Sequence, residues 1–121
     1  MGAMTTLSID HGVLTLRFTR FEKIAGLIRD VDVPLDAIRD VEVHADGLAA
    51  TRGMRAPGLG LPGARKIGTW RARGRNELVA VRRGQPALRV ELSGHARDAL
   101  VIGMDDAEQW AERLRTRTAR A

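Results

Sequence analysis

Residues 58–63, Gly58-Leu59-Gly60-Leu61-Pro62-Gly63, spell G-x-G-x-x-G, the spacing with which a strand-to-helix turn wraps a dinucleotide pyrophosphate. That chemistry requires a strand before the glycines, a helix after them and an acidic residue about 20 positions on. Met54-Arg55-Ala56-Pro57 precedes the motif, Pro62 lies inside it, and a strand-like segment follows. The next acids, Glu77 and Glu91, miss the offset, and no Gly-Lys-[Ser/Thr] exists for a Walker loop. These glycines read as loop. Other chemistries fare no better. Cysteine is absent, which removes thiol catalysis, disulfides and thiolate metal sites. His11, His44 and His95 fall in separate turns with no i, i+4 pairing, so they read as surface residues. Ser93-Gly94-His95 sets serine near histidine, but adjacent turn residues lack triad geometry. Asp30, Asp32 and Asp36 lack the glycine and terminal glutamate of a calcium loop, and Asp105-Asp106 suits a helix cap. No catalytic residue, metal site or cofactor is expected.

Charge is more informative. Between Arg52 and Arg83 lie nine basic residues against Glu77 alone, a local charge of +8, so the remainder of the chain carries −3. Arginine outnumbers lysine 18 to 2, which GC-rich coding explains, but coding does not explain the clustering. Arg55, Arg65, Lys66, Arg71 and Arg73 are the candidate anion- or partner-binding residues. On an extended strand Arg71 and Arg73 share a face and would grip one linear ligand. The alternative is a solvated edge whose charges prevent strand pairing. Tyrosine is absent and only two Phe and two Trp occur, leaving few stacking platforms, so nucleic acid is an unlikely ligand.

These residues must be positioned by short strands. Leu14, Leu16 and Phe18 alternate with polar neighbours, and Phe21 to Ile28 returns after Thr19-Arg20. Asp30, Asp32 and Val33-Pro34 interrupt the pattern, and Ile38 to Val43 forms the third strand. Residues 44–64, with five glycines and two prolines, form a long irregular connection. Strands resume at Lys66 to Ala72, Glu77 to Arg82, Leu88 to Ser93 and Asp98 to Met104. The period then changes. Ala107, Trp110, Ala111 and Leu114 recur at i, i+3, i+4 and i+7, a helical apolar stripe with Trp110 as a core plug. The expectation is a mainly β, seven-stranded antiparallel barrel or sandwich capped by one C-terminal helix. Residues 5–117 make a single domain and residues 118–121 a frayed end. Residues 1–4 read as a vector-derived start, although Met1-Gly2 through Thr6 also fits a myristoylation pattern. No stretch approaches ~18 consecutive apolar residues, as a membrane-spanning helix would need.

This order resembles the pleckstrin-homology-like (PH-like) fold. The Val33-Pro34-Leu35 entry before Ile38–Val43 and the Arg/Gly/Pro loop ending in Gly68-Thr69-Trp70 look like small bacterial domains of that superfamily. The resemblance spans residues 7–117. It implies a non-enzymatic binding or scaffold domain, engaging a protein partner or self-associating, with anionic lipid binding as the alternative and an enzyme a distant third. Phosphoinositide-binding members carry spaced basic residues around the first hairpin, where this chain has only Arg17, Arg20 and Lys23. A cytoplasmic location is expected, peripheral to the membrane under the lipid alternative.

Overall fold

A computed structural model describes residues 6–20, 29–46, 59–61, 65–72, 74–82 and 84–119. The chain enters through a tight hairpin. β1 (Thr6–Asp10) and β2 (Val13–Arg17) are joined by His11 and Gly12, with φ of 51° and 76°. Two positive φ values make a type I′ turn, whose twist suits a two-residue hairpin. Leu14 and Leu16 of β2 are 0% and 1% exposed, while Thr15 and Arg17 alternate outward. β3 (Val31–Pro34) pairs antiparallel with β2 through Leu14↔Val33 and Leu16↔Val31, giving the first sheet the order β1-β2-β3.

A 3-10 turn, Leu35–Ala37, leads to β4 (Ile38–His44). Then come β5 (Leu59–Leu61), β6 (Arg65–Ala72), β7 (Arg75–Arg82), β8 (Ala87–Leu92), β9 (Ala99–Gly103) and the helix α1 (Ala107–Ala119). The second sheet runs β4-β8-β9-β7-β6-β5. β7 and β8 follow each other in sequence but are not neighbours, because β9 occupies the slot between them. It pairs antiparallel with β8 and parallel with β7, from Glu77↔Ala99 to Ala80↔Ile102.

Alternation divides the second sheet into two faces. Leu78, Ala80, Leu88, Val90, Leu100 and Ile102 join Leu14, Leu16, Phe18 and Val33 of the first sheet and Ala107, Ala111 and Leu114 of α1 in the main core. Val79, Val81, Ala87 and Val101 form a second buried cluster on the opposite face. A strand buried on both faces reads as a continuous apolar run, which is why Ala99-Leu100-Val101-Ile102 shows no alternation. Ser93 N–H donates to Ala37 C=O (2.8 Å), and Leu35 N–H to Gly12 C=O (2.9 Å), tying the 3-10 turn to both sheets. No helix among the described residues is long and apolar enough to cross a membrane.

Several expectations are corrected. The described residues contain nine strands, not seven, in two sheets that do not close into a barrel, and the β7–β9 pair breaks the antiparallel rule. β1, β3 and β5 are the additions, and the strand expected at 21–28 lies outside the described residues. Val31–Pro34 is a strand in spite of its proline because β3 is an edge. In the β1–β2 turn the Asp10↔Val13 pair is the hydrogen-bonded one, so by alternation Leu14↔Val33 is also bonded and the Pro34 nitrogen points away from β2. Of the 44–64 connection, His44 ends β4 and 59–61 form β5, and 47–58 and 62–64 are outside the described residues. Trp110 is not a plug. It is half-buried at the rim of the core, with the Arg113 guanidinium 4.2 Å from its ring centroid. The helix starts where Asp106 C=O accepts the Trp110 N–H (3.1 Å), and Asp105 accepts from the Gln85 amide (3.2 Å).

Leu100, fully buried in the central strand, sets a stability test. Leu100→Ala should cost about 2–5 kcal/mol, read as a lower urea midpoint with an unchanged slope. The same truncation at Leu7, half-buried on an edge strand, should cost visibly less.

Candidate functional site: a basic hairpin and an ion quartet

β6 and β7 form an eight-residue hairpin, in register from Arg65↔Arg82 to Ala72↔Arg75, and it carries most of the basic segment. Gly74, with φ of 78°, takes the turn between them. Of the five candidate residues, Arg65, Lys66 and Arg71 lie on β6, and Arg55 and Arg73 fall outside the described residues. Arg65 is opposite Arg82 and Lys66 opposite Val81 at the open end, whereas Arg71 is opposite Asn76 next to the turn. Six residues of strand separate Arg65 from Arg71, roughly 20 Å at ~3.3 Å per residue. One small anion cannot be held by both ends. Of the described candidates, Arg65 and Lys66 thus lie at the open end of the hairpin and Arg71 next to its turn. At the open end Arg65 and Arg82 are register partners.

Glu77 is the second component. It is only 6% exposed, and a buried carboxylate must be paired. Arg89 supplies a two-pronged fork, Nη1 to Oε1 at 3.2 Å and Nη2 to Oε2 at 3.1 Å. Arg75 Nε donates to Glu77 Oε2 (3.0 Å) and its Nη2 to Glu91 Oε1 (2.8 Å). Arg89 also donates from Nε to Glu91 Oε2 (2.9 Å). Two arginines and two glutamates thus close a ring. β7 and β8 stand two strand spacings apart, about 9.6 Å. The ring spans them because the residue between is Ala99, in register with both Glu77 and Glu91 and 0% exposed. A larger side chain there would occupy the space the four charges share.

Ionisation follows the geometry. Hydrogen bonds to Glu91 and then Glu77 hold Arg75 above its ordinary value. Burial opposes the charge on Arg89, but the Glu77 fork and the Glu91 charge outweigh it and its pKa is raised. Burial likewise works against ionised Glu91. The Arg75 hydrogen bond and the Arg89 charge win and hold it below the carboxylate value of 4.5. The sheet end beside this ring is also polar. Asp98 accepts the Asn76 N–H (2.6 Å), and Arg97 Nη1 donates to Thr69 Oγ1 (2.7 Å) and Asn76 Oδ1 (3.1 Å).

The remaining candidates are dispersed. His11 is an exposed turn residue near Asp10 (3.4 Å), and His44, expected in a turn, closes β4 near Glu42 (3.6 Å). The His95 ring lies between Arg97 N–H (3.0 Å) and Asp32 C=O (3.1 Å). Asp30 accepts the Phe18 N–H and Asp32 the Thr15 hydroxyl, so both carboxylates serve the first sheet. Among the described residues no three His, Asp or Glu side chains cluster around a common point. Leu59–Leu61 of the glycine motif pair with β6, the strand from Arg65 to Ala72. The quartet itself escapes sequence reasoning, although its signal is present: Arg75-Asn76-Glu77 and Arg89-Val90-Glu91 repeat Arg-x-Glu on two strands. Compared with family models, characterised proteins and solved structures, the chain matches none of them.

Arg89→Ala strips the fork from a buried carboxylate and should cost about 2–3 kcal/mol in urea unfolding, since part of the ring is solvent-screened. Glu91 sets the pH response. Its pKa is depressed on folding, so its contribution is complete above 4.5 and is lost as pH falls through the lower folded value. Glu91→Gln should flatten the acid side of the stability profile, measured as urea midpoint against pH.

Proposed function

We propose that this chain is a non-enzymatic binding domain that holds an extended acidic partner, a protein segment first, along the β6–β7 hairpin. The observation that carries this reading is the register. Basic positions sit at both ends of the hairpin, roughly 20 Å apart, which suits a ligand that spans them and not a free phosphate. The groups whose pKa values shift, Arg75, Arg89 and Glu91, support the non-enzymatic reading, because each is shifted toward its charged form by partners within the ring. A strand-rich body followed by one helix supports a PH-like domain, and the parallel β7–β9 pair and open sheets are departures from that fold. A cytoplasmic site of action accords with the absence of cysteine.

Poly-glutamate, phosphatidylserine vesicles and inorganic phosphate serve as probes. Poly-glutamate should bind, and more weakly as salt rises. Arg65→Ala with Lys66→Ala, or Arg71→Ala with Arg73→Ala, should each weaken it about threefold to tenfold without abolishing it. Complete loss with either pair, together with saturable phosphate binding, would mean a single compact anion site and would sink the extended-partner reading. Vesicle binding without poly-glutamate binding would move the assignment to an anionic membrane surface.

A further inference from the structure

Each sheet has two edges, and three of the four are closed by recognisable devices. On β3 the outward Asp32 C=O is engaged by the His95 ring (3.1 Å), and Pro34 has no N–H to offer. On β4 the Val41 C=O accepts Arg115 Nη2 (2.9 Å), and the register slips between Ile38 and Asp40. β5 has three residues, the middle one glycine. β1 has none of these. It is five residues long, with no proline, bulge or basic side chain.

The backbone groups that β1 presents follow from its turn. Asp10↔Val13 closes the type I′ hairpin as a hydrogen-bonded pair, so Ser8↔Thr15 and Thr6↔Arg17 are bonded pairs too. Leu7 and Ile9 therefore aim their N–H and C=O groups at the open edge, where no described residue hydrogen-bonds to them. Their side chains are only half-buried against the core.

We infer that β1 is a self-association edge, where the β1 of a second copy pairs antiparallel about a twofold axis through Ser8. This register is self-complementary. It sets Leu7 opposite the partner's Ile9, both with outward backbone groups, which yields four interchain hydrogen bonds. It extends the half-buried Leu7 and Ile9 row across the axis, and it places Asp10 opposite the partner's Thr6 instead of another carboxylate. A register centred on Asp10 would oppose two carboxylates and is disfavoured. Two three-stranded sheets become one of six strands. The edge is small, so the dimer forms in the ~micromolar range. It is separate from the basic hairpin and stands or falls independently of the acidic-partner reading.

Sedimentation velocity across a dilution series tests the dimer. The wild type should pass from monomer to dimer with no larger species. Ser8→Lys sets two like charges at the axis and should raise the dissociation constant roughly fivefold or more, with unchanged circular dichroism. Ser8→Cys tests the register in an otherwise cysteine-free chain. A non-bonded antiparallel pair has Cα atoms about 4.5 Å apart, within disulfide range. Oxidation should therefore give a covalent dimer quickly. Asp10→Cys, whose thiols would lie about 13 Å apart in this register, should oxidise slowly. A wild type monomeric throughout, growth beyond dimer, or equal cross-linking at both positions would overturn the proposal.

Discussion

β9 is the strand on which the second sheet depends. β4 and β8 form one antiparallel pair and β5, β6 and β7 another set, and in the strand order the two are joined by Ala99–Gly103. Ala99, Leu100 and Val101 are fully buried, with Leu100 facing the main core and Val101 the second cluster. The same strand sets the helix, because α1 begins four residues after Gly103, anchored by Met104 N–H to Pro86 C=O (2.9 Å). It also sets the distance between Glu77 and Arg89. Packing, helix placement and buried electrostatics are therefore consequences of one insertion.

That insertion changes how the charge of the chain should be counted. A segment charge of +8 suggests a single strongly positive face. In the fold, Arg75 belongs to Glu77 and to Glu91, an acid outside the segment, and Arg65, Lys66, Arg71 and Arg82 are spread along a hairpin. Among the described residues the most closely paired charges are the four of the ring, which bridge β7 and β8 across β9. These pairs act at short range, at 2.8 to 3.2 Å.

Local signals were legible and long-range pairing was not. Leu88, Val90 and Leu92 alternate, and Ala107, Ala111 and Leu114 repeat at helical spacing. Both patterns are written by burial on one side and both are found as expected. β9 is readable as a strand from its apolar run, but nothing in residues 98–104 says which strands it separates. That choice cost the expectation its topology and hid the quartet, since Arg75-x-Glu77 and Arg89-x-Glu91 meet only if an alanine-bearing strand lies between them. Val31–Pro34 was misjudged for a different reason. Proline excludes a central strand, yet on an edge its missing N–H faces outward and costs no ladder bond. The anion-site residues illustrate the same gap: composition located the basic segment, and only the hairpin register showed its two ends held apart.

Strand order has a counterpart in time. During synthesis β4 to β8 emerge before β9, so both halves of the second sheet exist while the slot between them is empty. Glu77 must wait for Arg89 on a strand that has not yet docked, and the apolar faces of Leu78 and Leu88 have no common neighbour. Native pairing of the two halves requires residues 99–103 to lie between them. Contacts formed this way join distant parts of the chain, which slows folding relative to a simple meander. The interval before closure is when the exposed edges of β7 and β8 are most open to wrong partners.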